Sequence, residues 1–341
     1  MYYSETIEKN TKYRADYLDG INDFLSDEKA KAEEERKAFI TPEKYAENPE
    51  YYRAKFVETL GFPLTKKREM PTAEKTFVAK DGNVNIYRMQ FTFFGKLKTY
   101  GLYFEQTENA KNAPFIFGFH GGAGTPELVS SIHGNSGNYN HLVRRITDRG
   151  ANVFAPQFLL WSVDTYGNEY NRQHMDGKLR QLGGSATAME VYFLQCVLDY
   201  FIEKERINAE KIGVAGLSYG GMYAVHFTAA ETRVKACYSC SWVNDCFVHS
   251  WADWSYFNAQ KTFATAETVA LIAPRPLVVA MGDKDNIFDY RLTVTECEKA
   301  KAYYKATGAE ERLKYIVFDG VHETDKSDEE LDFLFSALHN N

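Results

Sequence analysis

Hydrophobic and polar positions follow two different patterns along the chain, and the change falls near residue 75. Residues 1–74 are rich in helix-forming residues and contain no run of strand-forming ones. Within residues 49–60 apolar side chains recur at helical spacing, and a glycine follows, which predicts a helix with one buried face. The residues on that face are Tyr52, Phe56 and Leu60. We therefore expect residues 1–74 to form a helical N-terminal extension.

Beyond residue 75 the pattern is that of a sheet. Residues 76–104 hold strand-like runs around the turn sequence Asp81-Gly82-Asn83, which predicts an antiparallel entry. After residue 114, short apolar runs alternate with helical patterns; the runs are 114–119, 151–155, 211–216, 234–239, 276–281 and 313–318. This alternation predicts an α/β fold with a mainly parallel sheet covered by helices on both faces. We assign it to one catalytic domain, residues 75–341.

Composition excludes several classes of protein. Of 341 residues, 44% are hydrophobic and 26% are charged, which is typical of a globular protein and not of a disordered one. The formal net charge of −7, without a basic block, argues against a nucleic-acid or membrane partner. No apolar run approaches the roughly 20 residues that span a bilayer. Because the N-terminal residues lack the pattern of a signal peptide, we expect a cytoplasmic protein.

Cysteine and histidine patterns indicate neither disulfides nor a metal. The chain has five cysteines, an odd number in a long sequence. Cys237 and Cys240 have CxxC spacing but lie in a strand-like run, and a zinc site would need a second pair. We expect both to be buried small hydrophobic residues. The eight histidines form no HxxxH or HExxH motif, and we expect neither metal nor cofactor.

The strongest chemical motif is Gly216-Leu217-Ser218-Tyr219-Gly220-Gly221. It follows a strand pattern and opens a helix pattern, which is the setting of a nucleophile elbow. On so sharp a turn the positions two before and two after the serine crowd together, so both need glycine. The turn exposes the Ser218 hydroxyl and points the amide of Tyr219 into the same space. We interpret Ser218 as a catalytic nucleophile.

A serine nucleophile needs a base and an acid that orients it, in the order Ser, Asp or Glu, then His on this architecture. The loops after the last two predicted strands supply them, at the carboxyl edge where such sheets build sites. His322 is the candidate base. Asp285 is the first choice for the acid and Asp283 the alternative, while Asp319 is too close to the histidine in sequence.

A glycine-rich loop at residues 120–124 directly follows an earlier strand. Its backbone amides are expected to contribute to an oxyanion hole, with the amides of Tyr219 and Gly122, and also Gly121, as donors. A phosphate-binding loop is the competing reading. Neither GxGxxG nor GxxxxGK[ST] is present, which disfavours it.

The order HGGAG, GLSYGG, GDKD and GVHE resembles the α/β-hydrolase superfamily, and most of all its bacterial dienelactone-hydrolase-like and acetyl-xylan-esterase-like branch. The resemblance covers residues 75–341. In that branch the acid is the fourth residue of Gly-x-x-Asp, which corresponds to Asp285. True dienelactone hydrolases use a cysteine nucleophile, so Ser218 implies ester substrates.

The tryptophans are candidates for a substrate pocket. Trp242, Trp251 and Trp254 follow the strand after the elbow helix, and Trp161 follows an earlier strand on the same side. Trp161, Trp242 and Trp254 could form an aromatic pocket wall, and ordinary packing explains them equally well.

These observations predict a serine hydrolase that cleaves carboxylic esters without a cofactor. Acetyl esters of carbohydrates are implied by the resemblance alone. Two alternatives stay open: a serine peptidase of the prolyl-oligopeptidase type, and a catalytically silent binding protein with a hydrolase fold. The expected partner is a small-molecule or carbohydrate ester, and self-association as a homo-oligomer through the N-terminal extension is left open.

Overall fold

The computed structural model describes residues 2–159 and 172–339. Trp161, one of the predicted pocket residues, lies outside this part of the chain. The described helices, in chain order, are α1 (Thr11–Phe39), α2 (Pro42–Glu47), α3 (Pro49–Leu60), α4 (Pro126–Val129), α5 (Leu142–Asp148), α6 (Arg172–Gln181), α7 (Ala186–Tyr200), α8 (Tyr219–Ala230), α9 (Thr265–Ala270), α10 (Tyr290–Ala306) and α11 (Glu329–His339). The described strands are β1 (Thr72–Asp81), β2 (Val84–Phe93), β3 (Leu97–Gln106), β4 (Phe115–Phe119), β5 (Asn152–Pro156), β6 (Ile212–Leu217), β7 (Ala236–Cys240), β8 (Leu277–Gly282) and β9 (Leu313–Phe318).

The described strands form one sheet in the order β1-β2-β3-β5-β4-β6-β7-β8-β9. The first three strands and β5 pair antiparallel, and the strands from β5 to β9 pair parallel. The predicted fold class, a mainly parallel sheet with helices and an antiparallel entry, is confirmed. The motifs HGGAG, GLSYGG, GDKD and GVHE lie at the carboxyl ends of β4, β6, β8 and β9.

Each face of the sheet has its own hydrophobic core because side chains alternate along every strand. On β4, Phe115, Phe117 and Phe119 join the larger core, which is covered by α7, α8 and α10. Ile116 joins the smaller core under α5 and α11. The sheet is therefore covered on both sides, as predicted.

Aromatic residues fill much of the larger core. Phe201 lies next to Phe115 with ring centroids 4.8 Å apart and next to Phe154 at 5.0 Å. Phe117 contacts Phe154 edge to face at 6.1 Å. Such edge-to-face and tilted pairs add packing energy beyond the area that they bury. A large part of the chain's 24 Phe and 23 Tyr thus packs the sheet against its helices.

The N-terminal extension begins as predicted but does not stand apart from the sheet. Its helix α3 buries Tyr52, Phe56 and Leu60 in the larger core and ends at Gly61, which has a φ of +84°. The Tyr45 hydroxyl donates to the carbonyls of Leu271 (3.0 Å) and Ala273 (2.8 Å). The helices α2 and α3 therefore share the larger core that covers one face of the sheet.

Among the helices in residues 2–159 and 172–339, none combines the length and the hydrophobicity that crossing a bilayer requires.

Candidate active site

Ser218 lies on the sharp turn between β6 and α8. Its backbone has φ 60° and ψ −120°, a strained conformation for a residue with a side chain. A Cβ atom on Gly216 would lie 2.3 Å from the carbonyl oxygen of Gly220, and a Cβ atom on Gly220 would lie 2.4 Å from that of Phe119. Both positions therefore require glycine, as the sequence motif indicated.

His322 and Asp285 form a hydrogen-bonded pair beside this turn. The Nδ1 atom of His322 donates to Oδ2 of Asp285 at 2.8 Å, and the other carboxylate oxygen accepts the amides of Ile287 (2.8 Å) and Phe288 (3.1 Å). Burial raises the pKa of the Asp285 carboxyl, but these hydrogen bonds outweigh burial and hold that pKa below its usual value. The carboxylate is thus charged and fixed in place.

The two other aspartates considered from the sequence make different contacts. Asp283 accepts the amide of Gly320 at 3.2 Å, and Asp319 pairs with Lys284 at the surface. Of the two acids left open by the sequence, Asp285 is the one that lies against His322.

The loop that carries His322 is held by the segment after the glycine-rich loop. The side-chain amide of Asn138 donates to the carbonyl of His322 at 3.0 Å. The backbone carbonyl of Asn138 accepts the amide of Thr324 at 2.9 Å. The hydroxyl of Thr324 donates to the carbonyl of Tyr139 at 2.7 Å. These bonds connect two loops that are more than 180 residues apart in sequence, and they fix the backbone on both sides of His322.

Ser218 and His322 line one cavity of about 450 Å³ at the carboxyl edge of the sheet. Within the described residues, the Ser218 hydroxyl makes no hydrogen bond. The side chains around the cavity are mostly apolar or uncharged. They include Leu128, Ser136, Asn138, Tyr139, Trp251 and Ile287.

The backbone amides near Ser218 differ in whether they already donate a hydrogen bond. The amide of Gly121 donates to the hydroxyl of Tyr139 at 2.8 Å. Gly122 and Tyr219 also line the cavity, and no described group accepts a hydrogen bond from either amide. The structure therefore leaves two of the three predicted donors available, and the third is used to hold the loop.

His120 fixes the orientation of one of these two amides. Its Nδ1 atom lies 2.7 Å from the carbonyl oxygen of Gly121, and its Nε2 atom accepts the amide of Phe158 at 3.0 Å. Complete burial lowers the pKa of His120 to about 4, so the ring is neutral and donates from Nδ1. Because a trans peptide points its C=O and N–H in opposite directions, holding the Gly121 carbonyl also aims the Gly122 amide.

A buried ion cluster lies on the other side of the elbow, centred on Arg172. The guanidinium donates to Asp253 through Nε (2.6 Å) and to Glu190 through Nη1 (2.9 Å), and none of its side-chain surface is exposed. The hydroxyl of Tyr219 donates to Asp253 at 2.8 Å, and Tyr223 bonds both Arg172 and Glu190. Burial lowers the pKa of the guanidinium, but the surrounding acidic groups outweigh it and raise that pKa well above its usual value.

This ion cluster was not predicted, and it anchors Tyr219, the residue that follows Ser218. Its members come from α6, α7, α8 and the loop after β7. Buried charges persist only when they are paired and hydrogen-bonded, so the cluster holds these elements in one arrangement. No sequence motif links Arg172 to Asp253 or Glu190, so the residues alone did not indicate that these charges pair in the interior.

The predicted tryptophan wall is revised by the structure. Trp251 lines the cavity and stacks on Tyr219, with ring centroids 6.1 Å apart and planes at 22°. Trp254 packs against the edge of Tyr219 at 5.0 Å, and Trp242 packs against Trp254 at 6.3 Å. Trp242 and Trp254 therefore lie behind the cavity and line a separate one beside α1.

Cys237 and Cys240 are buried on β7, as predicted, and burial raises the pKa of each thiol to about 12. In residues 2–159 and 172–339, no group of three or more His, Cys, Asp or Glu side chains is placed to hold a metal ion.

Comparisons with known proteins identify the fold. No protein-family model matches the chain. A structure provisionally named an acetyl xylan esterase, from Bacteroides fragilis NCTC 9343, has a TM-score of 0.66 at 16% identity, covering 82% of this chain and 76% of that one. A glucuronoyl esterase from Solibacter usitatus has a TM-score of 0.63 at 16% identity, covering 85% and 92%. The chain has the α/β-hydrolase fold.

One further structure and one curated sequence are also similar to the chain. A glucuronoyl esterase from Teredinibacter turnerae T7901 has a TM-score of 0.64 at 16% identity and covers 89% of this chain and 86% of that one. A provisionally named hydrolase of Bacillus subtilis (strain 168), YtaP, is 29% identical over 107 residues. That match spans 29% of this chain and 36% of the curated relative. The chain thus resembles esterases in its fold, at low sequence identity.

Proposed function

We propose that this protein is a serine esterase in which Ser218, His322 and Asp285 act as a catalytic triad. The observation that carries the proposal is the arrangement at the cavity: a serine on a strained elbow lines it together with a histidine that donates to a buried aspartate. This is the pattern by which a triad is recognised on unrelated sequences.

In the proposed reaction the Ser218 oxygen attacks the ester carbonyl carbon. Because Nδ1 of His322 is bonded to Asp285, Nε2 takes the serine proton and later delivers it to the alcohol leaving group. Water then attacks the acyl-enzyme with the same imidazole as base, which releases the acid and restores the serine. Asp285 holds the imidazole tautomer and stabilises the imidazolium formed in each step.

The amides of Tyr219 and Gly122 are the proposed donors to the developing oxyanion. Both lie at the cavity and are unengaged within the described residues, whereas the amide of Gly121 is bonded to Tyr139. One such donor contributes about 2.7–4 kcal/mol of transition-state stabilisation in enzymes where it has been removed.

The lining supports uncharged esters of modest size as substrates. Its apolar part is formed by Leu128, Trp251 and Ile287, and His322 is the one titratable base among the described lining residues. The half-buried ring of Trp251, which lines the cavity together with Ser218, also suits a sugar ring. The structure from Bacteroides fragilis is named an acetyl xylan esterase, which favours acetylated carbohydrate within this class.

Hydrolysis of 4-nitrophenyl esters of increasing acyl length, with acetylated xylan in parallel, tests the proposal. We expect turnover to be highest for acetyl and to fall with chain length, and Ser218→Ala to lower kcat by at least about 10⁴-fold. Equal turnover by a Ser218→Ala protein with an unchanged unfolding transition would refute the mechanism. Absence of turnover by the wild type on every ester would instead favour a silent binding protein.

The peptidase alternative predicts a different substrate profile. An esterase is expected to leave 4-nitroanilides and peptides intact at enzyme concentrations that hydrolyse the matching esters. Faster cleavage of a peptide than of its ester analogue would favour the peptidase.

A further inference from the structure

The long first helix carries an apolar surface that its own chain does not cover. Residues 29–36 of α1 lie against the domain through ion pairs of Lys29 with Asp245 (2.8 Å) and Arg36 with Glu267 (3.2 Å). In contrast, no described hydrogen bond, ion pair or ring contact joins residues 7–24 to the rest of the protein. The first half of α1 therefore extends from the domain as an arm.

Apolar side chains of this arm fall on one side of the helix. Five of them, Tyr17, Leu18, Ile21, Phe24 and Leu25, are named here the arm stripe, and at about 100° per residue they span an arc of roughly 120°. Tyr17 (73%), Leu18 (58%) and Phe24 (61%) are more than half exposed, and Tyr13 (71%) lies at the edge of the stripe one turn earlier. With side chains of this size, the stripe leaves about 500 Å² of apolar surface in water.

The stripe is symmetric about Ile21, and a charged residue lies at each of its two ends, one positive and one negative. Tyr17 and Leu18 precede Ile21 by the same spacing with which Leu25 and Phe24 follow it. Arg14 and Glu28 lie seven residues on either side, within the same arc. If two such helices packed antiparallel about a two-fold axis at Ile21, the apolar side chains of one stripe would face those of the other. Arg14 of each helix would then lie opposite Glu28 of its partner, which gives two charge pairs.

We propose that the occupant of the arm stripe is the arm of a second copy of this chain, packed antiparallel in a two-fold dimer. A two-fold interface needs one self-complementary patch, and a stripe that maps onto itself with its charges exchanged is such a patch. A standard interface buries about 800 Å² per partner, of which the apolar part is close to the area that the stripe exposes. The seven-residue spacing from Arg14 through Ile21 to Glu28 also fits the seam of a helix pair.

Light scattering coupled to size-exclusion chromatography, or sedimentation velocity, on the full-length protein from about 1 to about 100 µM measures the association. We expect a concentration-dependent dimer. Arg14→Glu and Glu28→Arg each replace two attractive contacts by two repulsive ones, so each is expected to raise the dimer dissociation constant about tenfold. The double variant R14E/E28R restores opposite charges at both ends and is expected to return close to the wild-type constant.

Mixing the two single variants distinguishes antiparallel self-association from any other contact. In the mixed dimer both charge pairs are attractive, so equal amounts of R14E and E28R are expected to form a heterodimer more tightly than either forms a homodimer. Lys12→Glu and Asp23→Arg make the same charge changes on the opposite side of the helix and serve as matched controls. They are expected to leave the dissociation constant within about twofold of wild type.

Three results would overturn the proposal: a monomer at the highest concentration, a dimer that R14E and E28R leave unchanged, or controls that weaken it equally. Leu18→Glu, in the middle of the stripe, is expected to abolish the dimer while circular dichroism and ester hydrolysis stay unchanged. Because the arm lies outside the cavity of Ser218, this outcome is independent of the proposed activity.

Discussion

Two buried carboxylates flank the elbow, and they differ in the partner that each has. Asp285 and Asp253 both have fully buried side chains. Asp285 accepts from His322, whose ring reaches the cavity, while Asp253 accepts from Arg172, whose side chain is sealed from solvent. A histidine exchanges protons near neutral pH, whereas an arginine is always charged. The first pair is therefore suited to move a proton and the second to hold structure.

Tyr219 connects the Arg172 cluster to the proposed site. Its amide is a proposed oxyanion donor, and its hydroxyl donates to Asp253 at 2.8 Å. The side chain that holds this part of the backbone is thus tied to the buried ion cluster and not to the pair of Asp285 and His322. A substitution in the pair of Asp285 and His322 is therefore expected to lower kcat with little change in the free energy of unfolding. A substitution in the Arg172 cluster is expected to lower mainly the free energy of unfolding.

The largest expected effect is on turnover in Asp285→Asn. An amide cannot hold the imidazolium, and it favours the wrong tautomer of His322, so kcat should fall by about 10³–10⁴-fold. The free energy of unfolding should change by no more than about 2 kcal/mol, since the amide oxygen still accepts the amides of Ile287 and Phe288. Steady-state hydrolysis of 4-nitrophenyl acetate and urea unfolding measure the two quantities.

Asp283→Asn is the matched control, since it makes the same change in the same loop. Asp283 accepts only the amide of Gly320 among the described contacts, so kcat should stay within about threefold of wild type. A larger loss of kcat in Asp283→Asn than in Asp285→Asn would contradict the assignment of the acid.

The difference between the two pairs also shows what could be read from the sequence. The elbow, the glycine loop and the acid and base loops each follow a strand, and the chain's strands alternate with helices clearly enough to place them on one sheet edge. The strand predicted at residues 313–318 has the same bounds in the structure. Local pattern and strand order therefore predicted where the loops that carry the candidate site residues lie.

The Arg172 cluster has no such local signal. Arg172 and Asp253 are 81 residues apart, and no sequence motif links them; Asp253 stands between Trp251 and Trp254. Their pairing depends on how α6 packs against the loop after β7, which tertiary contacts decide. The same reason explains the tryptophans: the sequence placed Trp242, Trp251 and Trp254 near the site but could not tell which ring faces the cavity.

The next largest effect is on stability in Arg172→Met. Removing the guanidinium leaves Asp253 and Glu190 buried without their cation, which should lower the free energy of unfolding by about 3–5 kcal/mol. Since Asp253 also accepts from Tyr219, kcat should fall as well, by a smaller factor than in Asp285→Asn. Urea unfolding and ester hydrolysis at 15 °C, where the variant stays folded, measure both.

Arg180→Met on the same helix is the control for this change. Arg180 pairs with the buried Asp176 four residues away, but Arg180 itself is about a third exposed and the other Asp176 oxygen accepts the amide of Ala186 at 2.8 Å. Because water can take the place of Arg180 there, the loss of stability should be smaller than in Arg172→Met. If both methionine variants lost the same stability, the buried cluster would not be the anchor described above.

A third buried carboxylate, Glu330, has no cation that neutralises it, and it gives the smallest expected effect. It lies on α11 with 1% of its surface exposed, and its Oε1 atom has no hydrogen-bond partner within the described residues. Burial is the main cause that raises the pKa of Glu330 to about 7; the nearby Asp325 raises it further, and Arg145 opposes the shift. Unlike Asp285, Glu330 is thus expected to keep its proton in the folded protein below about pH 7.

The pH dependence of Glu330→Gln tests this difference. Because the pKa is higher in the folded protein than the ordinary 4.5, stability from Glu330 is complete below pH 4.5 and is lost as the pH rises through 7. Relative to wild type, Glu330→Gln should therefore gain about 1–3 kcal/mol between pH 5 and pH 8, measured by urea unfolding across that range. Glu329→Gln, on the exposed side of the same helix and paired with Lys314, should show a small difference that does not change over this range. An equal gain at pH 5 and pH 8 would mean that burial does not keep Glu330 protonated, and the contrast among the three carboxylates would then rest on Asp285 and Asp253 alone.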